Sequence, residues 1–405
     1  MSARVSNTSR YESALAVLQR RQAEMSDAQM QMTSGKRVNK PSDDPTAAAR
    51  AERAFIAQQR IESSQRSVGV SRNAMALTES ALGRAMEQLQ AGRERLVSAG
   101  NGSYGAAERA ALANDLVALR GQLLALANQT DGAGGYIFGG QGAPSEPFVD
   151  AIDPGTGLPT VAYVGPGGEG QVSNSEQMPT SADGEKVWMS ARTGNGQFVT
   201  DAAAGNTGSA YIDPGSVTDP SLLTGQPYDV VFSVGPGGTT YDLLMNGATV
   251  SAGNAYAPGT AIAIDGMKFT VSGVPANGDS FTIADSTNDL DPFEALDKAI
   301  AVLRNPAATA GTVKQAVNNG LRDMDAVMNH FSAGRSTAGA ALSRLDQIHE
   351  RNQDRDLWAK TVQSDAEDLD MVQAVSDFQN KQTSYQAALQ SYAMVQRMSL
   401  FDYLK

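Results

Sequence analysis

With 405 residues, 44 Asp and Glu against 32 Lys and Arg, and no cysteine, the chain has room for two or three domains and excludes disulfides, thiolate metal ligands and thiol catalysis. Aromatic residues are 6% of the total, so the core must be built largely from Ala, Leu, Val, Ile and Met, and no apolar run approaches the roughly 18 residues that span a bilayer, which argues against membrane insertion. The formal charge of −12 falls on residues 141–290, where 16 acidic residues face only Lys186, Arg192 and Lys268, an imbalance that argues against nucleic-acid binding.

Residues 1–10 include Arg4 but no apolar stretch and no small-residue cleavage site, so no cleaved secretory signal is expected. Tyr11, Leu15, Leu18, Gln22, Met25, Gln29 and Met32 then step by four and three, marking one face of a helix that breaks at Gly35. With two glutamines in it, this stripe is too narrow and too polar to hold an isolated helix, and the limb should depend on a partner helix. Asp44 and Pro45 read as the N-cap and first position of a second helix. On it Ala54, Ile61, Val68, Met75, Leu82, Leu89 and Leu96 recur every seven residues. Unbroken to Ser98, that helix would be about 80 Å long at ~1.5 Å per residue, closer to a rod than to part of a compact domain. After a Gly-rich turn at 100–105, Leu112, Leu116, Leu119, Leu123 and Leu126 mark a third helix ending near Gly132.

Beyond Gly139 and Gly140 the pattern changes. Residues 141–290 hold 12 of the 16 prolines and 23 of the 40 glycines. The runs 159–164, 228–234, 241–245 and 268–271 are β-prone and separated by turn residues. VGPGG occurs at 164–168 and again at 234–238, each after a strand-like run, as two related hairpins or subdomains would show. Helical periodicity returns at Asp291 and Pro292 with Phe293, Leu296, Ile300 and Leu303, then from Thr312 with Val313, Val317, Leu321, Met324, Met328 and Phe331. In the last limb Met371, Ala374, Val375, Phe378, Tyr385, Ala388, Leu389, Tyr392 and Val395 share a stripe interrupted by Gln382, much like that of the first limb. The expected fold class is therefore α+β, an elongated α-helical coiled-coil bundle formed by both termini with an inserted Gly/Pro-rich all-β domain. Residues 1–140 and 291–405 form its two limbs, and 141–290 its β-rich outer domain.

Motifs for chemistry are few. GPGGEG at 165–170 fits GxGxxG but is not followed by the helix that would hold a pyrophosphate, so a plain turn is expected. His330 and His349 lack partner ligands and read as solvated helix positions. Asp43 and Asp44 precede Pro45 as capping residues, and Asp365, Glu367, Asp368 and Asp370 read as a solvated acidic face. No nucleophile stands with a base. No enzyme activity, metal or cofactor is expected.

Residues 33–45 (TSGKRVNKPSDDP), with Ser34, Gly35, Lys36, Arg37, Pro41, Ser42, Asp43, Asp44 and Pro45, resemble the signature of the flagellin superfamily, in its hook-associated protein 3 family. Leu126, Ala127 and Asn128, then Asp131 and Gly132, then Tyr136, Ile137, Phe138, Gly139 and Gly140, resemble the end of that family's N-terminal region. SLFDYL at 399–404 is similar to its closing residues. The likeness covers about 1–140 and 291–405; in the insert, 264–269 and 272–281 are similar to a β segment of hook-associated proteins. Flagellin, the filament subunit, is the rival, but it carries Ala where Pro41 stands and Ala-Gly soon after the paired aspartates.

The resemblance implies an extracellular structural component of the bacterial flagellum. It would leave the cell through the flagellar type III export apparatus, guarded by an export chaperone, and assemble as a ring homo-oligomer joining the hook, through hook-associated protein 1, to the flagellin filament. The narrow terminal stripes point to packing completed between subunits. The expected interface residues are Tyr11, Leu15, Leu18, Met25, Met32, Phe378, Tyr385, Leu389, Tyr392, Val395, Leu400 and Phe401. An adhesin-like binding module on a helical stalk is the reading from a different class, and glycan binding by residues 141–290 would favour it.

Overall fold

The computed structural model describes residues 7–173 and 176–403. Helices α1 (Asn7–Ser34), α2 (Pro45–Ala99) and α3 (Ala106–Ala127) precede the strands, α4 (Gly184–Trp188) lies among them, and α5 (Pro292–Arg304), α6 (Ala310–Glu367) and α7 (Met371–Tyr403) follow. The order helix, strand, helix is the expected one, and α2 runs through all 55 of its residues without a break. The Asp-Pro pairs at 44–45 and 291–292 both start helices. The Asp44 carboxylate accepts from the N–H groups of Thr46 and Ala47 at 3.1 and 3.0 Å to open α2, and Asp291 accepts from Phe293 and Glu294 at 2.8 and 2.7 Å to open α5.

The chain divides into two compact units, Met1–Arg66 with Ile348–Lys405, and Ser67–Gln347. In the first, α1 lies antiparallel to α7, and the start of α2 is tied to the end of α6 by Gln58 to Gln363 at 2.7 Å and Asn352 to Ser64 at 2.9 Å. The buried residues there are mostly small: Ala47, Ala51 and Ala54 on α2, Ala359 and Ala366 on α6.

The second unit holds two hydrophobic cores. One joins Leu82, Leu89 and Leu96 of α2, Leu116 and Leu123 of α3, Phe293 and Leu296 of α5, and Met324 and Phe331 of α6. Residues of the insert enter this core too: Phe148 of β1 (Phe148–Ile152), Val161 of β2 (Pro159–Tyr163) and Trp188 of α4. Trp188 is fully buried and meets Phe138, Phe148, Phe293 and Phe331 at ring distances of 4.9 to 6.0 Å. By length and composition α3 is apolar enough to cross a membrane, which the sequence reading passed over. Here its apolar face is packed into this core, and its Arg120 is paired with Asp297 of α5 at 2.8 Å and Asp150 of β1 at 2.7 Å.

A short pair, β3 (Gln171–Ser173) and β4 (Gln177–Pro179), leads on to α4. The second core is all β. Strands β5 (Phe198–Ala202), β8 (Tyr228–Gly235), β9 (Gly238–Met245), β10 (Ala248–Ala255) and β13 (Ser280–Asp285) form an antiparallel sheet in the order β10-β9-β8-β13-β5. Against it lie β11 (Ala261–Ile264), β12 (Met267–Ser272), β6 (Tyr211–Ile212) and β7 (Ser216–Val217), with β12 pairing the other three. Alternate residues Tyr228, Val230 and Phe232 point inward with Phe269, Phe281 and Ile283. The module meets α6 through polar groups: Gln315 accepts from the Ile212 N–H at 2.8 Å, and Arg322 donates to the Thr200 carbonyl at 2.7 Å. Residues 141–290 are thus shared between a part built into the helical core and a part with a core of its own.

Candidate assembly surface

The turn from α1 to α2 carries the motif recognised in the sequence. Gly35 takes φ +71°, a left-handed conformation that ends α1 as glycine readily does. Its carbonyl accepts from the Leu369 N–H at 3.0 Å, the Arg37 N–H donates to the Glu367 carbonyl at 2.6 Å, and the Arg37 guanidinium donates to the Ala366 carbonyl at 2.8 Å. Lys36 adds an ion pair to Glu367 at 2.9 Å. The motif therefore clasps the break between α6 and α7, more than 300 residues away in sequence, and satisfies carbonyls that the end of α6 leaves open.

Within the turn, Asp43 accepts from the N–H groups of Asn39 and Lys40 at 3.1 and 2.9 Å, while Asp44 caps α2 and meets Arg37 at 3.4 Å. The Ala47 N–H first, then the Thr46 hydroxyl and Arg37, hold the Asp44 carboxyl down at about 2. Ser34, Pro41, Ser42 and Pro45 are exposed around this turn. The second motif also builds a junction. Gly140 donates its N–H to the Ala182 carbonyl at 3.1 Å, and a Cβ at this position would overlap the Pro166 carbonyl oxygen. Tyr136 and Gly139 shape the turn beneath it, and Phe138 packs on Trp188.

On α1 the less exposed positions include Ala14, Leu18, Arg21, Met25, Ala28 and Met32, with Glu24 and Gln31 beside them; on α7 they include Ala374, Phe378, Lys381, Tyr385, Ala388 and Tyr392, with Ser384 beside them. Both sets step by three and four, a coiled-coil seam. Tyr392 donates to Tyr11 at 2.5 Å with ring centroids 5.5 Å apart, closing its far end. Leu18, Met25, Met32, Phe378, Tyr385 and Tyr392, expected at a subunit interface, meet in this seam within one chain. The seam uses Ala14, Arg21 and Ala28, however, where the stripe read from the sequence used Leu15, Gln22 and Gln29, which stay exposed. On these two helices Ala28 is the one fully buried residue among those described. Tyr11, Leu15, Val17, Met30, Val375 and Leu389 are 37 to 42% exposed, and Val372 is 84% exposed. Val395, Leu400 and Phe401 continue along α7, and their side chains lie outside the described residues.

Other expectations fare differently. The GxGxxG stretch is a turn, held by Gly168 donating to Asp183 at 2.9 Å. The histidines are hydrogen-bonded rather than merely solvated, His330 to the Lys186 carbonyl at 2.9 Å and His349 to Gln65 at 2.6 Å. The acidic run is also more than a solvated face: Glu367 binds Lys36, Ser364 donates to Asp368, and Asp370 caps α7 through the Val372 and Gln373 N–H groups. Among the described residues no group of three or more His, Asp or Glu is placed to hold a metal.

Sequence reasoning missed two exposed pairs in the first unit, Phe55 with Ile56 on α2 and Leu357 with Trp358 on α6. The seven-residue phase of Leu345, Asn352, Ala359 and Ala366, all buried, puts Trp358 off the seam and was the available signal.

Residues 5–143 match the model of the bacterial flagellin N-terminal helical region, and residues 321–404 that of the C-terminal helical region. The chain is 28% identical over 405 residues to flagellar hook-associated protein 3 of Salmonella typhimurium, covering 98% of this chain and 99% of that one. It is similar to the crystal structure of FlgL from Xanthomonas campestris, with 30% identity, a TM-score of 0.67, and 78% of this chain and 99% of that chain covered. It is also similar to flagellar hook-associated protein 3 of Legionella pneumophila, at 26% identity and a TM-score of 0.70, with 76% and 97% covered. Full-length identity, a shared fold and the two terminal regions lead to one conclusion: the chain belongs to the flagellar hook-associated protein 3 family, structural components of the hook–filament junction of the bacterial flagellum.

Proposed function

We propose that this chain acts as one subunit of a ring between hook and filament, with the α1–α7 hairpin as the part that joins subunits. The observation that carries this is a two-helix seam that, among the described residues, buries one side chain while leaving Leu15, Val17, Met30, Val375 and Leu389 in solvent. Two helices packed so thinly gain little from each other, and covering these residues on assembly supplies the missing apolar burial at roughly 25 cal/mol per Å². Hook-associated protein 1 on one side and flagellin on the other are the partners of this surface. The residues 1–140 and 291–405 make up the assembling limbs, and the β module of the acidic insert 141–290 faces outward, where like charge keeps neighbouring copies apart, while the first part of the insert packs into the helical core. The chain reaches this extracellular place through the flagellar type III export apparatus with a chaperone on its last limb.

Leu389→Asp tests the reading, because Leu389 is exposed and its replacement leaves the seam residues in place. The variant should fold with an unchanged circular dichroism melt yet fail to restore swimming to a strain lacking this protein. Normal swimming, with the variant present in isolated flagella, would sink the proposal.

A further inference from the structure

The first unit carries a knob and a hole on opposite sides. The hole is a groove of about 700 Å³ beside the α1–α2 turn, with Val38, Pro41, Pro45, Ala48 and Phe55 as its apolar wall and Gln363 and Glu367 of α6 as its floor. Its edge is basic. Of the five Lys and Arg in residues 36–53, Lys36 and Arg37 are paired with Glu367 and Asp44, which leaves Lys40, Arg50 and Arg53 without an ion pair among the described residues, against Glu52.

The knob is Trp358, 67% exposed, beside the equally exposed Leu357. Helical geometry places Glu350, Asp354, Thr361 and Asp365 between and around these two on the outward face of α6. None of the three carboxylates has an ion pair among the described residues, and Arg351 and Arg355 lie to one side of them, so the knob rises from an acidic stripe with a basic flank.

Trp358 precedes Glu367 by nine residues, which at 3.6 residues per turn is about two and a half turns, so knob and hole look in opposite directions from α6. They cannot meet within one chain. A tryptophan left in solvent is costly, tryptophan is the side chain most enriched at interface centres, and its natural seat is an apolar pocket with a polar rim. The rim here has the charge the knob requires.

We propose that Trp358, with Leu357, seats in the groove beside the 36–45 turn of a second copy of this chain. The contact is head to tail: each subunit offers its knob to one neighbour and its hole to the other. Such heterologous contacts generate rings or helical arrays rather than two-fold dimers. The inference rests on the ring reading above and adds the surface by which the first unit takes part, distinct from the α1–α7 hairpin.

The absence of cysteine lets two thiols be placed without background. Lys40→Cys with Asp354→Cys leaves Trp358 and Phe55 intact. Flagella from a strain making only this double variant, treated with a short bismaleimide, should yield a ladder of covalent multimers, and Trp358→Ala added to it should weaken the ladder about tenfold or more. Either single variant alone should stay uncross-linked. Purified at high concentration, the two single variants mixed should give covalent dimers and nothing larger, a result that decides the matter if the double variant does not incorporate. Cross-linking of one single variant with itself, or an uncross-linked double variant in flagella together with an uncross-linked purified mixture, overturns the knob-and-hole contact and leaves the junction role standing. Absence of the unsubstituted chain from flagella overturns the junction role instead.

Discussion

Two aspartates do the same job in this protein with opposite responses to pH. Asp44 and Asp291 each cap a helix that opens on proline, but Asp44 sits at the surface and Asp291 is buried. Burial pushes the Asp291 carboxyl up to about 7, against the pull of its two N–H donors. Raised above its unfolded value near 3.8, Asp291 costs nothing below about pH 4 and removes stability as pH rises from there to 7. Asp291→Asn keeps a capping acceptor without the charge. Its melting temperature should match the parent at pH 4 and exceed it at pH 8, by an amount on the order of 2 kcal/mol of stability, and thermal melts across that range check the sign. Asp44, with its carboxyl held at about 2, contributes fully above pH 4 and loses its contribution as pH falls toward 2. Asp44 was legible from the sequence because a cap involves only its next three residues. Trp188 was not, because its four aromatic neighbours come from residues 138, 148, 293 and 331. Its indole N–H is buried without a partner among the described residues, so Trp188→Phe should be mild while Trp188→Ala loses about 3–5 kcal/mol in urea unfolding.

The helices show where pattern reading reaches its limit. On α1, Tyr11, Leu18, Met25 and Met32 belong to either of two stripes, and the choice between Ala14 and Leu15, Arg21 and Gln22, or Ala28 and Gln29 depends on the partner. Leu15 is the more apolar of its pair, which favours the wrong stripe. The structure uses alanines, which let the helices approach, and the aliphatic stem of Arg21, whose head turns out to Glu24 at 3.1 Å. The seven-residue repeat of α2 was unambiguous because Leu82, Leu89 and Leu96 meet a full core. The seam predicts its own dynamics. In the monomer, amides of residues 15–32 and 371–392 should exchange at least a hundredfold faster than those of 81–99, and comparable protection in hydrogen exchange would contradict so thin a seam. Arg37→Ala, which removes the side-chain half of the clasp on Ala366, should speed exchange in 371–392 further at a cost of about 1 kcal/mol.

At the scale of the whole molecule, strands were harder to read than helices. The runs at 159–164, 228–234, 241–245 and 268–271 are all strands, but β6 and β7, two residues each, carry no period at all. The repeated VGPGG was legible as a turn and not as a repeat: one copy closes the β8–β9 hairpin, and the other presses its Pro166 carbonyl against Gly140. Because the β module has a separate core, Phe232→Ala should lower one calorimetric transition by about 3–5 kcal/mol of stability and leave the transition of the helical core in place. The pairing of Tyr11 with Tyr392 spans 381 residues and the Lys36 clasp on Glu367 spans 331. Contacts of that sequence separation form late, because the ends must be brought together before anything is gained. A chain delivered from its first residue onward thus folds its β module and central helices while α1 still waits, and its assembling end matures only once α7 has arrived. Chain connectivity alone sets that order.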